Sequence, residues 1–311
     1  MKILSIVVPC YNEEASLPIF YEAVKKNLAF LNGQYELIFV DDGSSDQTLS
    51  ILKALAQADS QVKYLSFSRN FGKEAAMYAG MEHASGDYVA IMDADLQDPP
   101  ELLKQMFDIL EAGAYDCVGT RRSDRKGEPA VKSFLSRAFY QFIAKISQTP
   151  ILDGVRDYRM MRRNMVDAIL SLREKNRFSK GIFSWVGFPT AYLAYNNKPR
   201  SAGDSKWSLK KLFLYSLDGI IAFSTAPLLW VSMTGLILFV IALIAIAWVV
   251  VKTLLWGDPV AGYPSLLSVV LLLGAIQLLS IGMVGQYLSK EYIEGKNRPI
   301  YILRESNCAD K

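Results

Sequence analysis

Hydrophobic and polar positions divide the chain into two regimes. In the first 120 residues, short apolar runs alternate with longer amphipathic ones. Residues 3–8 form a largely β-branched run that reads as a strand buried on both faces. Ser16 is placed to cap a helix reaching about residue 31, and 35–40 reads as the next strand. The pattern then predicts helix 48–58, strand 62–67, helix 73–84, strand 88–92, helix 100–111 and strand 115–118. Strands separated by helices of 10–15 residues imply βαβ units and a parallel sheet. Ligands of such sheets bind beyond the carboxyl ends of the strands. Tyr11-Asn12-Glu13-Glu14, Asp41-Asp42, Arg69-Asn70 and Asp93-Ala94-Asp95 all fall at those ends.

In the second regime the charges disappear. Between residues 226 and 289 only Lys252 and Asp258 are charged, and 227–251 and 264–288 have none. A bilayer span needs about 20 apolar residues, so two transmembrane helices are predicted. The short loop between them carries Lys252, whereas Lys206, Lys210 and Lys211 precede the spans and Lys290, Lys296 and Arg298 follow. This bias places both termini in the cytosol and the loop outside. Trp248, Trp256 and Tyr263 suit the outer interface, and Gly235, Gly282, Ser232 and Ser280 are small residues suited to close helix packing. Two further amphipathic helices are predicted, at 129–147 and 206–223. The aromatic and basic character of the second favours a place at the membrane surface.

Composition adds little until charge is mapped. A chain with 51% hydrophobic residues among 311 buries a real core. Its net charge of +3 does not point to nucleic acid. The cations cluster, with six between Arg121 and Arg137 against Asp124 and Glu128, and five between Lys198 and Lys211 against Asp204. Such clusters beside a membrane suit phosphate or anionic lipid. The scattered Cys10, Cys117 and Cys308 make no disulfide framework and fit a reducing cytosol. The single histidine, His83, reads as structural. The first apolar run is too short for a signal-peptide core.

Neither Gly-x-Gly-x-x-Gly nor Gly-x-x-x-x-Gly-Lys-Ser/Thr occurs, so any phosphate is held in another way. Asp93-Ala94-Asp95 offers one, since two carboxylates at a strand end can share a hard divalent cation, Mg²⁺ or Mn²⁺. The Gln97 amide oxygen could complete the shell, and the cation would neutralise a diphosphate leaving group.

Pro9-x-Tyr11-x-Glu13, Val40-Asp41-Asp42-Gly43-Ser44-x-Asp46, Asn70-Phe71-Gly72-Lys73 and Met92-Asp93-Ala94-Asp95-Leu96-Gln97-Asp98-Pro99-Pro100-Glu101 together resemble the inverting family 2 glycosyltransferases. Within them the chain is similar to the polyprenyl-phosphate glycosyltransferases, the dolichol-phosphate mannose synthases and bactoprenol glucosyltransferases, over nearly its whole length. The resemblance implies an α/β fold of the GT-A type, Rossmann-like with a mostly parallel sheet, followed by two transmembrane helices. The implied organisation is a cytosolic transferase domain at 1–205, a juxtamembrane helix at 206–225, two spans at 226–289 and a cytosolic tail at 290–311.

By the same resemblance Pro9, Tyr11, Glu13, Val40, Asp41, Asp42, Lys73, Asp93, Ala94 and Arg121 bind the nucleotide sugar, and Asp93, Asp95 and Gln97 hold the metal. Arg200 and Lys206 match an Arg-x-x-Gly-x-Ser-Lys stretch that, with Arg137, binds acceptor phosphate. Asp157, with Asp95, is the implied catalytic residue, as a base or a sugar-hydroxyl ligand, an ion pair of Asp157 with Arg156 or Arg159 being the structural alternative. A strong base is not required, because a lipid monophosphate is already an anion near neutral pH. The expected reaction moves one hexose from UDP-glucose to undecaprenyl phosphate with inversion, for wall or surface-glycan decoration. UDP-N-acetylglucosamine is the alternative donor, and a membrane scaffold without chemistry the alternative class. A homo-oligomer is implied, a tetramer among the expected assemblies. The Gln-x-x-Arg-Trp motif of processive synthases is absent, which disfavours polymer synthesis.

Overall fold

The computed structural model describes residues 2–122, 154–195, 226–256 and 262–308. The predicted helices at 129–147 and 206–223 lie outside these residues. The chain forms two compact units, one of residues 1–222 with 298–311 and one of residues 223–297.

The first unit is built on an eight-stranded sheet. Its strands are β1 (Leu4–Cys10), β2 (Tyr35–Asp41), β3 (Val62–Phe67), β4 (Tyr88–Ile91), β5 (Cys117–Arg122), β6 (Val155–Arg162), β7 (Thr190–Tyr195) and β8 (Leu303–Ser306), in the order β7-β5-β6-β4-β1-β2-β3-β8. β4, β1, β2 and β3 run parallel, so their carboxyl ends share one rim, as the sequence predicts. β6 lies antiparallel between β4 and β5, β7 is parallel to β5, and β8 is antiparallel to β3. The expected α/β class is thus found, with a sheet more mixed than the first 120 residues foretell.

The helices are α1 (Leu17–Asn27), α2 (Thr48–Ala58), α3 (Lys73–His83), α4 (Leu102–Glu111), α5 (Arg163–Ser171) and α6 (Ser179–Trp185). Ser16 precedes α1 but bonds Glu13 Oε2 at 2.7 Å instead of capping the helix through its side chain. Leu4, Ile6, Val8, Leu37, Phe39 and Ala90 form one face of the core with Phe20, Leu52, Leu103 and Met106 from the helices. α3 covers the other face and is buried continuously from Ala75 to Met81. It lies so close to β1 that a Cβ on Gly80 would come within 2.1 Å of Val7 Cγ1. That closeness fixes where α3 begins, at the rim. His83 is structural, its Nδ1 3.0 Å from the Ala79 carbonyl oxygen.

The second unit holds α7 (Ala226–Trp256) and α8 (Tyr263–Gly295). Both are long and apolar enough to cross a membrane. Their 31 and 33 residues span roughly 46 and 50 Å at helical rise, more than the hydrocarbon thickness of about 30 Å. Ser232 and Ser280 bond back to the carbonyls of Leu228 and Ile276. Gly235 and Gly282 have open space where a Cβ would stand.

Candidate active site

The rim is assembled from loops that hold one another by backbone bonds. After β1, Asn12 adopts a left-handed conformation, φ 53°, and its N–H donates to Ser44 Oγ at 2.9 Å. Asn12 Oδ1 accepts from Ser45 N, Thr48 Oγ1 from Glu13 N, and Glu14 Oε2 from Gln47 N. The residues after β1 are therefore fixed to the turn after β2. Tyr11, the first residue after β1, is 39% exposed.

Asp41 and Asp42 are both buried but serve different ends. Asp41 closes its own turn, accepting from Ser44 N at 3.1 Å and Ser66 Oγ at 2.8 Å. Asp42 accepts the N–H groups of Phe71 at 2.6 Å and Gly72 at 2.9 Å. Burial pushes its carboxyl up to about 6, although those two N–H groups pull the other way. Gly43, φ 67°, makes this contact geometrically possible, because a Cβ there would fall 2.5 Å from the Arg69 carbonyl carbon. Val40 and Ala94 are buried framework at the strand ends.

At the start of α3, Lys73 joins two carboxylates from different strands. Its Nζ lies 2.7 Å from Asp93 Oδ1, after β4, and 2.7 Å from Asp157 Oδ2, in β6. Burial works against the ammonium, yet Asp157 and Asp93 hold its pKa well above the ordinary lysine value. Burial would also raise the Asp157 carboxyl, but Lys73 and then Lys180 hold it well below the usual range. Asp157 is thus an anion in a half-buried place. Arg159 Nε reaches the Asp157 main-chain oxygen, not its carboxylate.

Asp95 Oδ1 accepts from the N–H of Gln97 at 3.1 Å across a turn in which Leu96 has φ 55°. Gln97 Oε1 and Asp98 Oδ1 both face Arg156. Asp98 is fully buried and also accepts the Tyr195 hydroxyl. Burial raises its carboxyl against the pull of the Arg156 guanidinium. Arg121 stands exposed at the end of β5. Arg137, Arg200 and Lys206 lie outside the described residues.

The structure thus gathers Asp42, Lys73, Asp93 and Asp157 into one bonded rim, with Asp95 and Gln97 in the next turn. The sequence offers Arg156 only as a partner for Asp157, whereas it faces Asp98 and Gln97, and it does not point to Lys180, which charges Asp157, or to Tyr195, which bonds Asp98. The alternation of Tyr158 and Met160 with Asp157 and Arg159 is a period-two signal that could have revealed β6 and its Arg156. Among the described residues no group of three or more His, Cys, Asp or Glu is placed to hold a metal ion. Asp93 and Asp95 still offer hard carboxylate oxygens, the donor type that Mg²⁺ and Mn²⁺ prefer.

Comparison with known proteins gives this rim a lineage. The family model for glycosyl transferase family 2 matches residues 5–170. The bactoprenol glucosyl transferase of Shigella phage SfII is 45% identical over 307 residues, 99% of each chain. The prophage bactoprenol glucosyl transferase homolog of Escherichia coli K12 is 44% identical over 304 residues, 98% of this chain and 99% of that one. Among solved structures, glucosyl-3-phosphoglycerate synthase from Mycobacterium tuberculosis in complex with Mn²⁺, UDP-glucose and phosphoglyceric acid aligns at TM-score 0.46 and 21% identity, over 71% of this chain and 78% of that one. With a matching model over more than half its length and relatives this similar from end to end, the chain belongs to glycosyl transferase family 2, and its α/β sheet is that of a GT-A-type glycosyltransferase.

Proposed function

We propose that the protein transfers one glucose from UDP-glucose to a polyprenyl phosphate in the membrane, with inversion at the anomeric carbon. The observation that carries this reading is the likeness to bactoprenol glucosyl transferases across 99% of both chains, apolar helices included. Asp42, Tyr11 and the turn around Glu13 would hold the nucleoside, with Pro9 and Asp41 as framework. Asp93 and Asp95, with Gln97, would hold a divalent cation, Mg²⁺ or Mn²⁺, which when bound supplies charge compensation for the departing diphosphate. Arg121, and Arg137, Arg200 and Lys206 from outside the described residues, are the cations assigned to phosphate.

The acceptor oxygen bonds to the anomeric carbon as the bond to UDP breaks. The attacking group is already an anion, so the protein's task is positioning and electrostatics. Asp157 supports this as a carboxylate kept ionised by Lys73, able to accept a hydrogen bond from a sugar hydroxyl. Lys73 fixes Asp157 relative to Asp93, and so relates sugar to diphosphate.

The membrane reading has a topological support. Residues before α7 and after α8 belong to one sheet, since β8 pairs with β3. A hydrogen-bonded sheet is not divided by a bilayer, so two crossings return the chain to the side it left. The positive residues flanking the helices favour the cytosolic face. Self-association, up to a tetramer, is part of the proposal.

The test incubates the purified full chain in detergent with radiolabelled UDP-glucose or UDP-N-acetylglucosamine, Mg²⁺ and undecaprenyl phosphate. An organic-soluble glucosyl product of inverted configuration is expected. Product with the N-acetyl donor alone would reassign the sugar, and none with any donor would refute catalysis.

A further inference from the structure

The segment that follows α8 returns to the catalytic sheet and runs along β3, the strand that leads into the turn holding Asp42. Its docking is extensive. β8 pairs with β3, Ser68 N donates to the Ile302 carbonyl at 3.0 Å, and Lys53 meets Glu305 at 2.7 Å. Asn307 fixes the far end by accepting from Tyr64 N at 2.6 Å and donating to the Val62 carbonyl at 3.2 Å.

Tyr301 lies just before this strand and makes contacts of another kind. Its ring stacks on Phe67, with centroids 5.0 Å apart and planes 20° apart. Phe67 is buried and meets Phe71 edge to face at 5.7 Å. The Arg69 guanidinium covers Phe71 at 4.1 Å from the ring centroid. Phe71 and Gly72 then give their N–H groups to Asp42. The Tyr301 hydroxyl donates to Glu82 on α3, and its ring approaches those of Tyr78 and His83. The ring thus sits between β3 and α3.

We propose that Tyr301 is a positioning residue for nucleotide binding: through Phe67 it seats Phe71, and so places the two N–H groups that orient the Asp42 carboxylate. This rests on the reading of Asp42 as part of the nucleotide pocket. Tyr301 touches no substrate and acts only through the ring stack. Removing it opens space beside Phe67, into which Phe67 and Phe71 relax, drawing the N–H pair away from Asp42. Nucleotide affinity then falls while the groups around the anomeric carbon, Asp93, Lys73 and Asp157, keep their own bonds.

The experiment measures UDP binding by calorimetry, and KM and kcat for UDP-glucose, on the full chain in detergent with Mg²⁺. Tyr301→Ala should raise the UDP Kd and the donor KM about two- to tenfold, the scale of a lost aromatic pair, with kcat within about twofold. Tyr301→Phe, which keeps the ring, should restore both. Asn307→Ala, which loosens the strand without touching the stack, should lower the melting temperature and leave the UDP Kd unchanged. An unchanged UDP Kd in Tyr301→Ala, or an equal loss in Asn307→Ala, would overturn the proposal. Asp42→Asn separates the two readings. If it weakens UDP while Tyr301→Ala does not, the positioning role alone falls; if it does not weaken UDP, the pocket reading falls and takes this proposal with it.

Discussion

Replacing Lys73 by methionine tests the electrostatics of the rim directly. The ammonium sits 2.7 Å from each of two carboxylate oxygens, so its loss leaves Asp93 and Asp157 facing one another without a counter-charge. Removing one partner of a fully buried pair costs about 3–5 kcal/mol, whereas an exposed pair is worth about 0–1 kcal/mol. Here the side chains of Lys73, Asp93 and Asp157 are 34%, 25% and 21% exposed. The cost therefore falls between those limits, at about 1–3 kcal/mol. For a unit of this size that is a drop of roughly 2–12 °C in Tm.

The pH dependence carries the sign. Asp157 has a folded pKa held below its ordinary 3.8, burial being outweighed by Lys73, so its contribution is complete above that value and is lost as pH falls through the lower folded pKa. In Lys73→Met, burial acts unopposed by the lysine, and the carboxyl resists ionising. The Tm gap between wild type and variant should accordingly be full near neutrality and shrink in acid. Thermal unfolding of the detergent-solubilised chain from about pH 2.5 to pH 8 reads it. Equal Tm values at pH 7, or a gap that widens in acid, would refute the reasoning.

Asp42, raised to about 6, predicts that UDP affinity strengthens as pH rises through that value, because only the carboxylate is a full acceptor; calorimetry across pH 5–7.5 should show the step, and Asp42→Asn should abolish it. Gly43→Ala combines a left-handed backbone with a Cβ 2.5 Å from the Arg69 carbonyl carbon, and should destabilise by about 2–4 kcal/mol in thermal unfolding. Asp95→Asn should lower kcat by about 10²-fold or more in the glucosyl transfer assay, as the loss of a charge-stabilising group does; near wild-type turnover would reject its metal role.

The parallel half of the site was legible because each strand there ends abruptly. Ile6, Val7 and Val8 are unbroken apolar residues before Pro9, and Leu37 to Val40 before Asp41, so the polar rim follows from the end of each run. The antiparallel half was not. β6 carries Arg156, Asp157, Arg159 and Arg162 in eight residues, and its apolar positions are interleaved with charges whose main partners, Asp98, Lys73 and the Leu110 carbonyl, lie in other elements. β8 has the sequence Leu-Arg-Glu-Ser, which is strand only because β3 presents an open edge. The pairing of Lys73 with Asp157 joins positions 84 residues apart, and no local pattern encodes such a contact.

The position of β8 also imposes an order on synthesis. The ribosome releases residues 303–306 only after both apolar helices have been made. Until then β3 has an unpaired edge, and Phe67 lacks the ring that covers it. A chain interrupted anywhere within the helices ends with that edge open, a surface prone to pairing with other chains. The catalytic sheet is therefore completed last, by the residues that emerge after the two apolar helices.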